Sequence, residues 1–226
     1  MKDAMTSIAT PAYSTGARGL FVLILLALTG CSLPYHPARP SVYDFGPGQL
    51  TAPAASPAAK LVPLAVTEIE ANPALDSTAV LYRLAYADAQ MLHPYAQARW
   101  SMTPAQLLRQ RLREHLGQHR ALLNPTDGVN RSAATPASQP APYTLRIELE
   151  EFSQLFESPT QSVGLLRLRA TLTQPGPTGE QLISQRSVTV QQPAPSADAQ
   201  GGVRALTAAT DAAMREIELW LAGLGA

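Results

Sequence analysis

The chain alternates between stretches with a clear apolar rhythm and stretches with none. Residues 143 to 158, YTLRIELEEFSQLFES, set Tyr143, Leu145, Ile147 and Leu149 against Thr144, Arg146, Glu148 and Glu150. A period of two marks a strand with one buried face. The apolar positions then change register, to Phe152 and Phe156, which predicts a bulge near Glu150 and Glu151. Residues 163 to 174 place Leu166, Leu168, Ala170 and Leu172 on one side and Arg167, Arg169 and Thr171 on the other. A turn at 175 to 180, PGPTGE, and a strand at 181 to 192 complete a meander. Residues 60 to 71 read as a further strand, and residues 77 to 96 as two short strands with a turn near Asp88.

Two segments carry the helical period instead. In residues 102 to 119, Thr103 is a good N-cap and Pro104 suits the first helical position. Leu107, Leu108, Leu112 and Leu116 then share one face. Residues 201 to 225 form an amphipathic helix with a buried stripe of Val203, Leu206, Thr210, Ala213, Met214, Ile217, Trp220, Leu221 and Leu224. The order is strands, helix, strands, helix. Short turns between alternating strands predict an α+β fold, a curved antiparallel sheet with two main helices packed on one face. The outward sheet face carries Arg167, Arg169 and Glu148, so it is wet or covered by a partner.

Three stretches lack any rhythm: 34 to 60, rich in Pro, Ala and Ser, then 124 to 142, and 191 to 200. The first reads as a tether. Ahead of it lies LFVLILLAL, residues 20 to 28. Nine residues span about 14 Å as a helix, too short for a bilayer core. With Lys2 and Arg18 before it and the small residues Thr29 and Gly30 after it, the run reads as a secretory signal peptide, starting at Met1 or Met5.

Leu28-Thr29-Gly30-Cys31 resembles a bacterial lipobox. The resemblance implies cleavage before Cys31 and lipid on its thiol and new amino group. Two or more chains give stable membrane anchoring. Ser32, where an aspartate favours inner-membrane retention, then implies the outer membrane, facing the periplasm. Three segments follow from this reading: 1–30 a lipoprotein signal peptide, 31–60 the lipidated cysteine and tether, and 61–226 the folded domain. The chain has 1 cysteine, so no disulfide supports the fold.

Composition narrows the partners. The chain has 17 basic and 17 acidic residues, and Lys60 is the sole lysine after the signal peptide. Such balance argues against nucleic acid, which wants a basic face. No Gly-x-Ser-x-Gly, phosphate-binding glycine loop or paired-carboxylate motif is present, so the chain does not read as an enzyme and no cofactor is expected. His115 and His119 stand four apart on a helix, a metal-compatible spacing, but near a helix C-terminus such residues have an electrostatic role, and no metal is expected. Glu148, Glu150 and Glu151 read as a solvated strand edge.

Residues 81 to 112, LYRLAYADAQMLHPYAQARWSMTPAQLLRQRL, resemble the ABC-type transport auxiliary lipoproteins, which include PqiC-like proteins. The shared pattern is Tyr82-Arg83-Leu84, then Tyr95-Ala96 with Arg99-Trp100, then Pro104 with Leu107-Leu108. The resemblance implies an accessory subunit of a lipid transport system, with MCE-domain proteins and an ABC transporter or permease as partners. Homo-oligomers and a direct lipid ligand, the latter in a groove between sheet and last helix, are further expectations. Tyr82, Arg83, Tyr95, Arg99 and Trp100 are the candidate partner-binding residues, with Trp100 equally suited to core packing. Arg83 and Arg99 could pair with Asp88, and Tyr82 and Tyr86 share a face with Leu84. Another envelope-assembly lipoprotein, a pilotin or a lipopolysaccharide-assembly adaptor, is the competing reading.

Overall fold

The computed structural model describes residues 39–48, 61–124, 141–177 and 179–226. Its elements are β1 (Ser41–Tyr43), β2 (Leu64–Ala71), β3 (Ala79–Leu84), β4 (Asp88–Trp100), α1 (Pro104–Gly117), β5 (Leu122–Leu123), β6 (Tyr143–Ser158), β7 (Gln161–Gly176), β8 (Gly179–Pro193) and α2 (Ala199–Gly223). Cys31 lies outside the described residues, as do most of the stretches at 34–60 and 124–142.

All eight strands join one sheet, with both helices on one face, as the hydrophobic pattern predicts. β6, β7 and β8 form the antiparallel meander, and the predicted bulge falls between Leu149 and Glu151. The sheet is nevertheless mixed. β2 and β3 pair with β6 in parallel, as do β1 with β4 and β2 with β5. The segment through α1 carries the chain back across the sheet, and such a crossover is what parallel pairing needs.

One edge of β6 serves two strands. β2 takes its first half, Tyr143 to Leu149, and β3 takes Gln154 to Phe156. β2 and β3 are thus successive pieces of one course along β6, interrupted between residues 72 and 78. Pro73 has no amide hydrogen for a ladder. Asn72 turns the chain, its Oδ1 accepting from Ala74 N at 3.0 Å and its carbonyl from Leu75 N at 2.9 Å. The resulting fork is filled by side chains. Leu75, Phe152 and Trp100 are all within 2% of full burial, and Phe45 meets both rings, at 5.6 Å from Trp100 and 6.1 Å from Phe152.

Phe45 and β1 come from within residues 31–60, the stretch read as a tether. Part of that stretch is sheet and core. Three residues of strand are too few to show a period, so the sequence pattern passes over them.

α1 starts where expected, with Thr103 as N-cap and its amide donating to Gln106 Oε1 at 3.1 Å. In α2 the predicted stripe is buried except at its end, where Leu224 is exposed and Trp220 half-buried. α2 lies close on the sheet because two glycines permit it. A Cβ on Gly164 of β7 would fall 2.6 Å from the Ala205 backbone, and one on Gly202 would strike the Gln154 side chain. The expected groove between sheet and last helix is closed along this contact. We predict that Gly164→Val lowers stability by about 2 kcal/mol or more, since α2 must shift. Gly117→Ala, whose methyl meets nothing nearer than 3.7 Å, should be neutral or stabilising. Urea unfolding of the two variants checks this.

Candidate functional site

The five residues singled out by sequence split into three environments. Trp100 is core, 2% exposed. The Arg99 Nη1 donates to the carbonyls of Tyr95 and Ala98, so it holds its own strand and does not reach Asp88. Tyr82, Arg83 and Tyr95 meet on the β3–β4 hairpin, on opposite sheet faces.

On the helix-bearing face, Tyr82 stacks on His93 at 5.1 Å and touches Tyr95 at 4.6 Å and Phe156 at 5.9 Å. Register explains the row, because Tyr82 stands opposite His93 on β4 and Gln154 on β6. The Tyr95 hydroxyl donates to Gln154 Oε1 at 2.8 Å, and Gln154 Nε2 donates to Ser162 Oγ at 2.7 Å. Burial raises the Tyr95 phenol above its ordinary value, with Tyr82 and Asp198 adding to the shift. Asp198 itself caps α2, accepting from Gly201 N at 2.7 Å. That bond, then the Ser196 hydroxyl, holds its carboxyl below the usual range. A depressed carboxyl stabilises the fold above its ordinary range, and that contribution is lost as pH falls through the folded value.

On the opposite face, Arg83 reaches Glu151 Oε2 from Nη2 at 3.1 Å and Glu151 Oε1 from Nε at 3.4 Å. Its Nη1 donates to the carbonyls of Ala89 and Gln90, at 3.2 and 3.1 Å. Ser153 Oγ completes the carboxylate's partners at 2.7 Å. Glu151 was read as solvated, but it is 7% exposed. The bulge moves it onto the parity of Ser153, under the hairpin. Asp88 instead accepts from Gln90 N at 2.9 Å and helps shape the turn.

Tyr86 does not share a strand face with Leu84 as expected. β3 ends at Leu84, so Tyr86 lies in the turn, 49% exposed. Along the rest of the outward face, Glu150 bridges Arg169 at 2.7 Å and Arg167 at 3.2 Å, while Arg146 meets Glu180 at 2.6 Å. This face is wet and balanced in sign, and each exposed pair contributes little to stability.

Between α1, α2 and residues 44–48, the strap after β1, lies a cavity of about 430 Å³, lined by Phe45, Arg111, Glu114, His115, Asp211 and Arg215 among others. Beside it Glu218 of α2 sits between two imidazoles, His115 at 2.7 Å and His119 at 3.3 Å. Sequence reasoning missed Glu218 because it is 103 residues from His115. Arg120 is 3% exposed, and its Nε and Nη1 have no hydrogen-bond partner. Burial lowers its pKa, and the Glu218 charge opposes that. Among the described residues, no three His, Cys, Asp or Glu side chains converge to hold a metal ion, and no helix is long and apolar enough to cross a membrane.

Residues 43–218 match the family of ABC-type transport auxiliary lipoprotein components. The chain belongs to this family. Among solved structures, the Xanthomonas campestris protein XCC0632 is similar at TM-score 0.62 and 18% identity, covering 82% of this chain and 96% of that one. A second, uncharacterised protein is similar at TM-score 0.52 and 15% identity, covering 79% and 96%. At these identities the likeness shows the fold alone. A comparison with curated proteins yields no match. The family match begins at Tyr43, so the strap after β1, like the hairpin, lies within the family's span.

We predict that Arg83→Met costs about 2 kcal/mol, because it leaves the Glu151 carboxylate enclosed without its cation. The double variant Arg83→Met/Glu151→Met should recover most of that loss. Thermal unfolding of both, with the single Glu151→Met change, measures the coupling.

Proposed function

We propose that this auxiliary lipoprotein is anchored through lipid on Cys31 to the outer membrane, faces the periplasm, and docks an ABC/MCE-type lipid transport assembly there. The family match over residues 43–218 is the observation that carries this reading. The lipobox-like Leu28-Thr29-Gly30-Cys31 and the following Ser32 support the anchor and its membrane. The role is that of an adaptor without catalysis. In its favour, two of the charged clusters are engaged in holding elements together: Arg83, Glu151 and Ser153 tie the hairpin to β6, and Glu218 ties α2 to His115 of α1. A group committed to holding two elements together is poorly placed to exchange protons with a substrate.

Among the described residues the sheet begins at β1, inside the stretch read as a tether. The chain between Cys31 and Ser41 is what joins lipid to fold.

Two measurements test the reading. Cys31→Ala should move the protein from the membrane fraction to the soluble fraction with an unchanged unfolding curve; membrane attachment that persists in this variant contradicts the anchor. Affinity purification of the intact protein from detergent-solubilised envelopes should recover an MCE-domain protein with transporter subunits. Recovery of a secretin or of lipopolysaccharide-assembly proteins in their place would overturn the transport assignment.

A further inference from the structure

α1 carries three arginines at alternate positions, Arg109, Arg111 and Arg113, and the fold treats them differently. Arg111 reaches the strap and α2, where it donates to the Phe45 carbonyl and pairs with Glu114 and Asp211. Arg109 and Arg113 stand four apart, so they are neighbours on another side of the helix. Arg109 Nη1 meets Glu68 Oε1 of β2 at 2.9 Å. Arg109 Nε and Arg113 Nη1 are buried without a hydrogen-bond partner.

Both guanidinium groups line a cleft of about 430 Å³, together with Glu68, Met102, Gln106 and Gln110. Gln106 accepts the Thr103 amide on Oε1, which leaves its Nε2 to donate. Gln106 and Gln110 repeat the spacing of four, so two amides and two guanidinium groups face one cleft. Like charges four apart on a helix repel, and Glu68 answers one of them. Its side chain is 73% exposed, so water weakens even that pair. A solvated arginine gives its hydrogens to water, which an enclosed nitrogen cannot do. Charge is shared across the guanidinium plane, so an oxyanion that meets the open nitrogens stabilises the whole group. A phosphate group suits this lining, because it offers several acceptor oxygens to a fork of donors.

We propose that the cleft beside α1 binds a phosphate group, with Arg109 and Arg113 as its cations and Gln106 and Gln110 as further donors. Glu68 repels the anion and sets an upper limit on its affinity. Free phosphate and a phospholipid headgroup present the same chemistry here. The inference stands apart from the anchor and from the assembly named above.

The test is calorimetric titration of the intact protein in non-ionic detergent. The probes are inorganic phosphate, glycerol 3-phosphate and dihexanoylphosphatidylglycerol below its micelle concentration. Saturable binding at one site is expected. Arg109→Gln and Arg113→Gln should each weaken it about tenfold or more, the scale of one lost charge-assisted hydrogen bond. Arg204→Gln, at an exposed position of α2, should leave it unchanged. Glu68→Gln should tighten it several-fold, a gain that a purely structural role for the arginines would not produce. If Arg113→Gln does not fold, Arg113→Lys keeps the charge without the planar fork and should still weaken binding. Tighter binding of the lipid than of phosphate assigns the headgroup; equal or weaker binding assigns free phosphate. No binding of any probe overturns the proposal, as does binding that the Arg109 and Arg113 variants leave unchanged or that Arg204→Gln weakens equally. Capture of an acidic peptide by these arginines without any phosphate binding makes the cleft a protein contact, and also overturns it.

Discussion

One edge of one strand organises this domain. β6 is paired along its whole length on the β7 side, but its other edge is divided between β2 and β3. Two strands cannot continue one another along a third without a break, and the break at residues 72–78 opens a fork in the sheet. A fork exposes backbone and apolar side chains unless something fills it. Phe45, Trp100, Phe152 and Leu75 fill it, and they come from four separate parts of the chain. Without them the only strand pairing between the β3–β4 hairpin and β6 would be that of Tyr82 to Leu84 with Gln154 to Phe156. The hairpin, the turn into α1 and the first strand all depend on that apolar plug.

The same plug takes in the residues that follow β1. Phe45 follows β1 by two residues, so the segment next to the first strand is inserted into the core. Arg111 of α1 reinforces the strap, donating to the Phe45 carbonyl and pairing with Asp211 of α2 at 3.3 Å. The residues after β1 are therefore tied to both helices and to the fork, unlike a loose surface strand.

Much of this was legible before any coordinates. The bulge at Glu150 and Glu151 shows in the sequence because a one-residue slip flips the apolar parity from Leu149 to Phe152. α1 shows because Thr103 and Pro104 carry the chemistry of a helix start. Strand direction does not show, since a period of two is the same for parallel and antiparallel pairs; hence the mixed sheet in place of an antiparallel one. β1 is too short for any period. Pairings made by tertiary contact were equally hidden: Arg83 finds Glu151, 68 residues away, over the nearer Asp88, and Glu218 meets His115 from a distant helix. The Tyr-Arg-Leu to Trp segment identified the family, yet its residues divide between core, backbone support and hairpin. A motif can mark a family by the structure it builds.

The central claim is that the strap after β1 is a structural part of the fold. Urea unfolding of Phe45→Ala, followed by the fluorescence of buried Trp100 and half-buried Trp220 together and by far-ultraviolet circular dichroism, tests it directly. The account predicts a loss of about 3 to 5 kcal/mol, the usual cost of deleting a buried aromatic ring, with both signals shifting together. A loss under about 1 kcal/mol, the scale of a surface change, would contradict it and make the strap an ornament on a domain that folds without it.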